Sequence, residues 1–93
     1  MANQVKKCET PDLEQTLTPE LLGQAIKARR TQSNLRLEDA AALCGVAKQT
    51  LMNIEHGRPN SQFSSVLQVC AAFGIKLHIP PWDNERNDDW QCS

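Results

Sequence analysis

Gly45 stands between two short stretches of helical periodicity, and it fixes how the middle of this chain folds. Upstream, Ala40, Ala41 and Cys44 recur at i, i+1 and i+4, so they share one face of a helix. The small side chain at Ala41 lets a second helix cross closely. A glycine after Cys44 ends that helix at positive φ without the penalty a Cβ would carry. Downstream, Val46, Leu51 and Ile54 supply the apolar stripe of a second helix. The stretch from Leu35 to Gly57 therefore predicts two short helices joined by a tight turn at Cys44-Gly45-Val46.

The other side of the second helix carries Lys48, Gln49, Thr50 and Asn53. It is polar, mildly basic and rich in hydrogen-bond donors, as a helix lying in a DNA major groove requires. The alternative is an αα-hairpin whose outer face is merely solvated. Several spacings agree at once, which favours the DNA-binding reading. On it, Lys48, Gln49 and Asn53 face base edges, and Thr50 contacts a base or a phosphate. Arg36, just ahead of the first helix, is placed to reach a phosphate.

Charge has to be read locally. The net charge is −1, which taken alone argues against nucleic acid. From Pro19 to Arg58, however, Lys27, Arg29, Arg30, Arg36, Lys48 and Arg58 stand against Glu20, Glu38, Asp39 and Glu55, a balance of +2. Residues 81–93 carry Asp83, Glu85, Asp88 and Asp89 against Arg86, a balance of −3. Acidity is segregated in a tail, and local charge sets the electrostatic footprint. The centre is still only mildly basic, so affinity for DNA is expected to depend on dimerisation.

Ninety-three residues make one small domain with a modest core. Residues 1–17 are polar, mixed in charge and predicted to be a flexible arm, with Pro11 to Gln15 offering at most one helical turn. Thr18-Pro19-Glu20 is a helix start: a Thr cap, Pro at the first position and an acid in the first turn. That helix runs to about Gln32, with Leu22, Ala25, Ile26 and Arg29 as its inner stripe and Arg30 at its end. Gly57-Arg58-Pro59-Asn60 breaks the chain. Ser61 caps a fourth helix in which Phe63, Val66, Leu67, Cys70 and Phe73 form the apolar stripe, and Gly74 ends it. Cys44 and Cys70 fall on apolar faces and read as buried hydrophobes, while Cys8 and Cys92 lie in polar tails.

Ile75-Lys76-Leu77-His78-Ile79 alternates apolar and polar, which reads as a strand stopped by Pro80-Pro81. No other segment offers it a partner. The simplest solution is the same strand from a second copy, antiparallel across a two-fold, with Ile75, Leu77 and Ile79 at the interface. The alternative is an extended tail packed on the helices. Residues 80–93 form a flexible acidic tail. In it Trp90, framed by Asp88 and Asp89, reads either as an anchor for a partner's pocket or as incidental composition.

Ala41, Gly45-Val46, Leu51, Ile54-Glu55 and Gly57 together resemble the helix-turn-helix domain of the lambda-repressor-like family, also called Cro/CI or XRE. The resemblance covers residues 21–75 and implies a mostly α bundle of four to five helices that binds double-stranded operator DNA. In that family the Glu of the I-E-x-G signature pairs with an Arg near the end of the first helix, which here implies Glu55 with Arg30. Where the family has Thr-Gln opening the second helix, this chain has Arg36-Leu37. The order of parts over residues 18–90 is further similar to the HipB family of antitoxins: a repressor-type bundle, one strand, and a tail with a late Trp. That similarity implies a homodimer that binds its own operator and neutralises a HipA-type Ser/Thr kinase toxin by complex formation.

Three function classes follow: a DNA-binding antitoxin, a stand-alone repressor and an enzyme. The third is set aside, for the sequence has no metal-spaced His/Cys/Asp cluster, no Gly-rich phosphate loop and no paired nucleophile and base. No cofactor or metal is expected. His56 and His78 read as surface residues. With no run of some 18 apolar residues and no signal peptide, the chain is expected to be soluble and cytoplasmic in a bacterium, with no membrane partner.

Overall fold

The computed structural model describes residues 5–82. Within them four helices form: α1 (Pro19–Gln32), α2 (Leu37–Cys44), α3 (Lys48–Glu55) and α4 (Phe63–Ala72). Among the described residues there is no strand. No helix there is long and apolar enough to cross a membrane.

Local chemistry accounts for the boundaries. Thr18 Oγ1 accepts the Leu21 amide at 3.0 Å, and Pro19 opens α1. Asn34 then turns the chain at φ 60. Its short polar side chain makes it one of the few non-glycine residues that adopts this region readily. Helix α2 begins at Arg36 without a side-chain cap and ends at Gly45, whose φ of 76 lets the Val46 amide fold back to the Ala41 carbonyl at 3.1 Å.

The core is built from one face of each helix. Ile26 of α1, Ala40 and Ala41 of α2, Leu51 and Ile54 of α3, and Val66, Val69 and Cys70 of α4 are buried together. Burial of this kind, roughly 25 cal/mol per Å² of apolar area, is what holds helices of eight to fourteen residues. Leu35, Leu37, Val46, Phe73, Ile75 and Leu77 pack around its edge.

Three helical details differ from the sequence expectation. In α1, Arg29 is exposed and Ala25 half-buried, while Leu21, Gly23, Ala28, Arg30 and Thr31 are buried. In α4, Phe63 is 70% exposed and Leu67 42%, and the inner face runs through Val66, Val69 and Cys70 instead. Phe63 lines a shallow surface groove with Leu17, Pro19, Leu22 and Val66. Ser61 is not its cap: Gln62 holds that position with no side-chain bond, and Ser61 donates to the Arg58 carbonyl at 3.3 Å.

Two flanking segments complete the description. The strand expected over residues 75–79 is not formed in the single chain, where among the described residues no second extended segment pairs with it. Residues 75–82 run on from α4 without regular structure. Ile75 and Leu77 are half-buried, Lys76 and His78 exposed, and Ile79 is 75% exposed, so the alternation holds to Leu77 and then leaves the bundle. Residues 5–17 run back along α1, with Asp12 Oδ1 accepting the Glu14 amide at 3.0 Å to form one tight turn. The tail from Asp83, and with it Trp90 and Cys92, lies outside the described residues.

Candidate nucleic-acid interface

Helix α3 is presented by its own inner face. Leu51 is fully buried and Ile54 nearly so, which leaves Lys48 and Gln49 exposed and Thr50, Met52 and Asn53 half-exposed. Gln49 Nε2 donates to Asn53 Oδ1 at 3.1 Å. This i, i+4 bond aligns two amide side chains on one outward ridge. Each amide keeps further donor and acceptor capacity, and such bidentate groups suit the N6 and N7 edge of adenine. Lys48, the residue before Gln49 and the first of α3, adds an exposed cation at the N-terminal end of the helix.

Side chains from two other helices hold α3 at its C-terminus and at the turn that precedes it. At its C-terminus, Arg30 Nε donates to Glu55 Oε2 at 2.6 Å and Nη2 to Oε1 at 2.9 Å. Arg30 Nη1 also donates to the Leu35 carbonyl at 2.9 Å, so one guanidinium joins α1, α3 and the segment leading into α2. Both side chains are almost fully enclosed, at 9% and 5% exposure. A planar fork with fixed donor directions suits this bidentate role.

Close by, α1 crosses the end of α3 at Gly23. A β-carbon there would meet the backbone oxygens of Ile54 and Glu55. Gly57, at φ 72, turns the chain away beside Glu20.

At the N-terminal side of α3, Gln68 of α4 secures the turn. Its Nε2 donates to the Cys44 carbonyl at 2.8 Å and to the Gly45 carbonyl at 3.3 Å. Those are carbonyls at the end of α2 that no helical amide reaches. Among the described residues every buried side-chain polar atom has a partner.

Arg36 sits at the start of α2, largely exposed, 3.6 Å from Asp39 in a surface pair that contributes little to stability. It shares neither hydrogen bond nor ion pair with the α3 residues. Ile75 and Leu77 belong to the edge of the core, and Ile79 stands clear of it. Gly23 and Gln68 escaped the sequence reading. A glycine inside an otherwise helical pattern was the signal for the first. The second had none, because a lone exposed-face Gln reads as surface.

The two buried thiols have no place on this face. Burial pushes the Cys44 thiol above its ordinary value of 9.0, and the charge of Glu55 adds to the effect. Cys70 is pushed up likewise by burial and then by Cys44. Raised thiols are poor nucleophiles and poor metal ligands. No group of three His, Cys, Asp or Glu with metal-binding geometry occurs among the described residues.

Residues 21–78 match a family described as a helix-turn-helix domain. The chain is also similar to y4mF, an uncharacterized HTH-type transcriptional regulator of Sinorhizobium fredii. The identity is 32% over 62 residues, covering 67% of this chain and 82% of the relative.

Proposed function

Because the chain belongs to the helix-turn-helix domain family, we propose that it is a sequence-specific transcriptional repressor acting as a homodimer on double-stranded operator DNA. The observation that carries this reading is the Gln49–Asn53 ridge on a helix whose C-terminus is held by Arg30 and whose preceding turn is held by Gln68. Helix α3 enters the major groove, Gln49 and Asn53 read base edges, and Lys48 and Thr50 flank them. Arg36 contacts a phosphate from the start of α2. Two copies present two such helices about 34 Å apart, one turn of duplex.

The second copy is held by residues 75–79, which run antiparallel to the same segment of the partner. Ile79, left exposed by its own chain, supplies apolar surface to that contact.

The finer reading is an antitoxin of the HipB type that represses its own operon and holds a HipA-type kinase in an inactive complex, with Trp90 as an anchor. Its support is the order of parts: bundle, extended segment, acidic tail with Trp90. A stand-alone repressor is the second reading, favoured by a relative described only as a transcriptional regulator.

Footprinting on fragments of the native genome tests the first claim. A protected pair of half-sites, weakened by salt, is the expected result. Protection of a single asymmetric site with no salt dependence overturns it. Co-purification from the native host then separates the two finer readings: a kinase-sized partner marks the antitoxin, and the repressor alone at full operator occupancy marks the other.

A further inference from the structure

We propose that residues 5–8 are a second DNA-contacting element, a basic clip whose Lys6 and Lys7 bind the phosphodiester backbone beside Arg36. The proposal rests on the DNA-binding reading above and extends it to a part of the chain outside the helix-turn-helix.

The first observation is how the segment is held. Val5 donates its amide to Asn34 Oδ1 at 3.1 Å, and Cys8 donates its amide to Thr31 Oγ1 at 2.9 Å. Gln32 Nε2 reaches back to the Cys8 carbonyl at 2.8 Å and to Thr10 Oγ1 at 3.1 Å. Thr31 is itself 3% exposed, and its hydroxyl donates to the Lys27 carbonyl at 2.9 Å, so its position is fixed. Lys6 and Lys7 lie between the two anchored amides. Their backbone is held although their side chains are exposed.

The second observation is location. The anchor residue Asn34 precedes Arg36 by two positions, a span of at most about 7 Å of chain. The clip therefore ends at the same corner of the bundle as the proposed phosphate contact. Neither lysine makes an ion pair among the described residues. The acids of this arm, Glu9, Asp12 and Glu14, all follow Cys8, towards the start of α1. The charge of the arm is thus sorted along its length, with the basic end at Asn34.

Anchoring matters because the segment is already ordered. A free arm would lose conformational entropy on meeting DNA, and a docked one loses less. Two lysines at fixed points also raise the positive charge of a face that is otherwise only mildly basic.

The test uses the full chain and two duplexes, one carrying a selected operator and one of mixed sequence. Binding is followed by fluorescence anisotropy over a range of NaCl. Lys6→Ala/Lys7→Ala should weaken binding to both duplexes by the same factor. It should also flatten the plot of log K against log[salt] by about 1.8 per bound chain, the effect of two lost phosphate contacts.

Asn34→Gly/Gln32→Ala keeps both lysines, tolerates the positive φ at position 34 and removes three of the four bonds that hold the segment, leaving only the Cys8–Thr31 bond, so the clip is loosened at its basic end. Its slope should fall part of the way. An unchanged slope in the lysine variant overturns the proposal. A flattened slope in the lysine variant with none in the anchor variant overturns the role of the hydrogen bonds. Failure of the unaltered protein to bind either duplex is the failure of the DNA-binding reading itself, and is read before any variant is made.

Discussion

Gly23 and Glu55 approach so closely that a β-carbon on the glycine would lie 2.5 Å from the Glu55 carbonyl oxygen. The atom it would meet is backbone at the end of α3, which cannot swing aside as a side chain does. Gly23→Ala should improve the intrinsic helix propensity of α1 by about 1 kcal/mol. Parting α1 from α3 should cost about 1–3 kcal/mol or more and outweigh the gain. Thermal denaturation beside exposed-site Gln24→Ala checks this, and a Gly23→Ala melting point at or above that of the unaltered chain contradicts the packing.

The same helix crossing carries the Arg30–Glu55 pair. Removing one partner leaves the other charged in an almost closed site, at a cost up to about 3–5 kcal/mol. Glu55→Ala should therefore unfold at clearly lower denaturant than Glu38→Ala, whose side chain is exposed. Arg30→Met/Glu55→Leu should recover much of the loss, since apolar isosteres leave no stranded charge.

On the outer face, Gln49→Ala and Asn53→Ala should each reduce discrimination between operator and mixed-sequence DNA by about 1–3 kcal/mol. Melting temperature should move little, because both side chains lie outside the core. The two are hydrogen-bonded, so the double variant should lose less than the sum of the singles. Strict additivity in competition binding would show that the ridge does not act as one unit.

Stability should fall at high pH. The folded protein holds the Cys44 and Cys70 thiols above their ordinary value of 9.0, so there the unfolded chain releases protons more readily than the folded one. The contribution is fully present below pH 9 and is lost as pH rises through the raised folded values. Cys44→Ala/Cys70→Ala, though less stable at pH 7, should show a flatter decline above pH 9. A slope equal to that of the unaltered chain would assign the decline to other groups.

Ile79→Lys tests the assembly. Ile79 is mostly solvent-exposed in the single chain, so the fold should survive the change. Sedimentation should show a weaker dimer, and operator binding should weaken in parallel. A dimer of unchanged strength would place the interface elsewhere.

Periodicity and end signals made much of this architecture readable in the sequence. Thr18-Pro19, Gly45 and the Leu51–Ile54 stripe each have a local cause, so a local pattern is enough to find them. The I-E-x-G signature pointed to Glu55 and Arg30 together, and their side chains do meet. Less was readable where a choice depends on how the helices come together. In α4, Phe63 and Leu67 fit the helical period as well as Val69 does, yet Val69 is fully buried and the other two are exposed. The bonds from Gln68 to the α2 turn and from Asn34, Thr31 and Gln32 to the arm join residues more than twenty positions apart. A polar residue in isolation gives no sign of such a partner.

Gln68 sets a limit on transplantation. The carbonyls of Cys44 and Gly45 belong to the turn between α2 and α3, yet their hydrogen-bond donor comes from α4. A chimaera that moved only residues 37–55 into another bundle would arrive with those two acceptors unmatched, unless the host offered a donor at the same spot. The smallest exchangeable cassette for recognition therefore extends through α4. Specificity swaps between this chain and its relatives should be made by changing Lys48, Gln49, Thr50 and Asn53 in place.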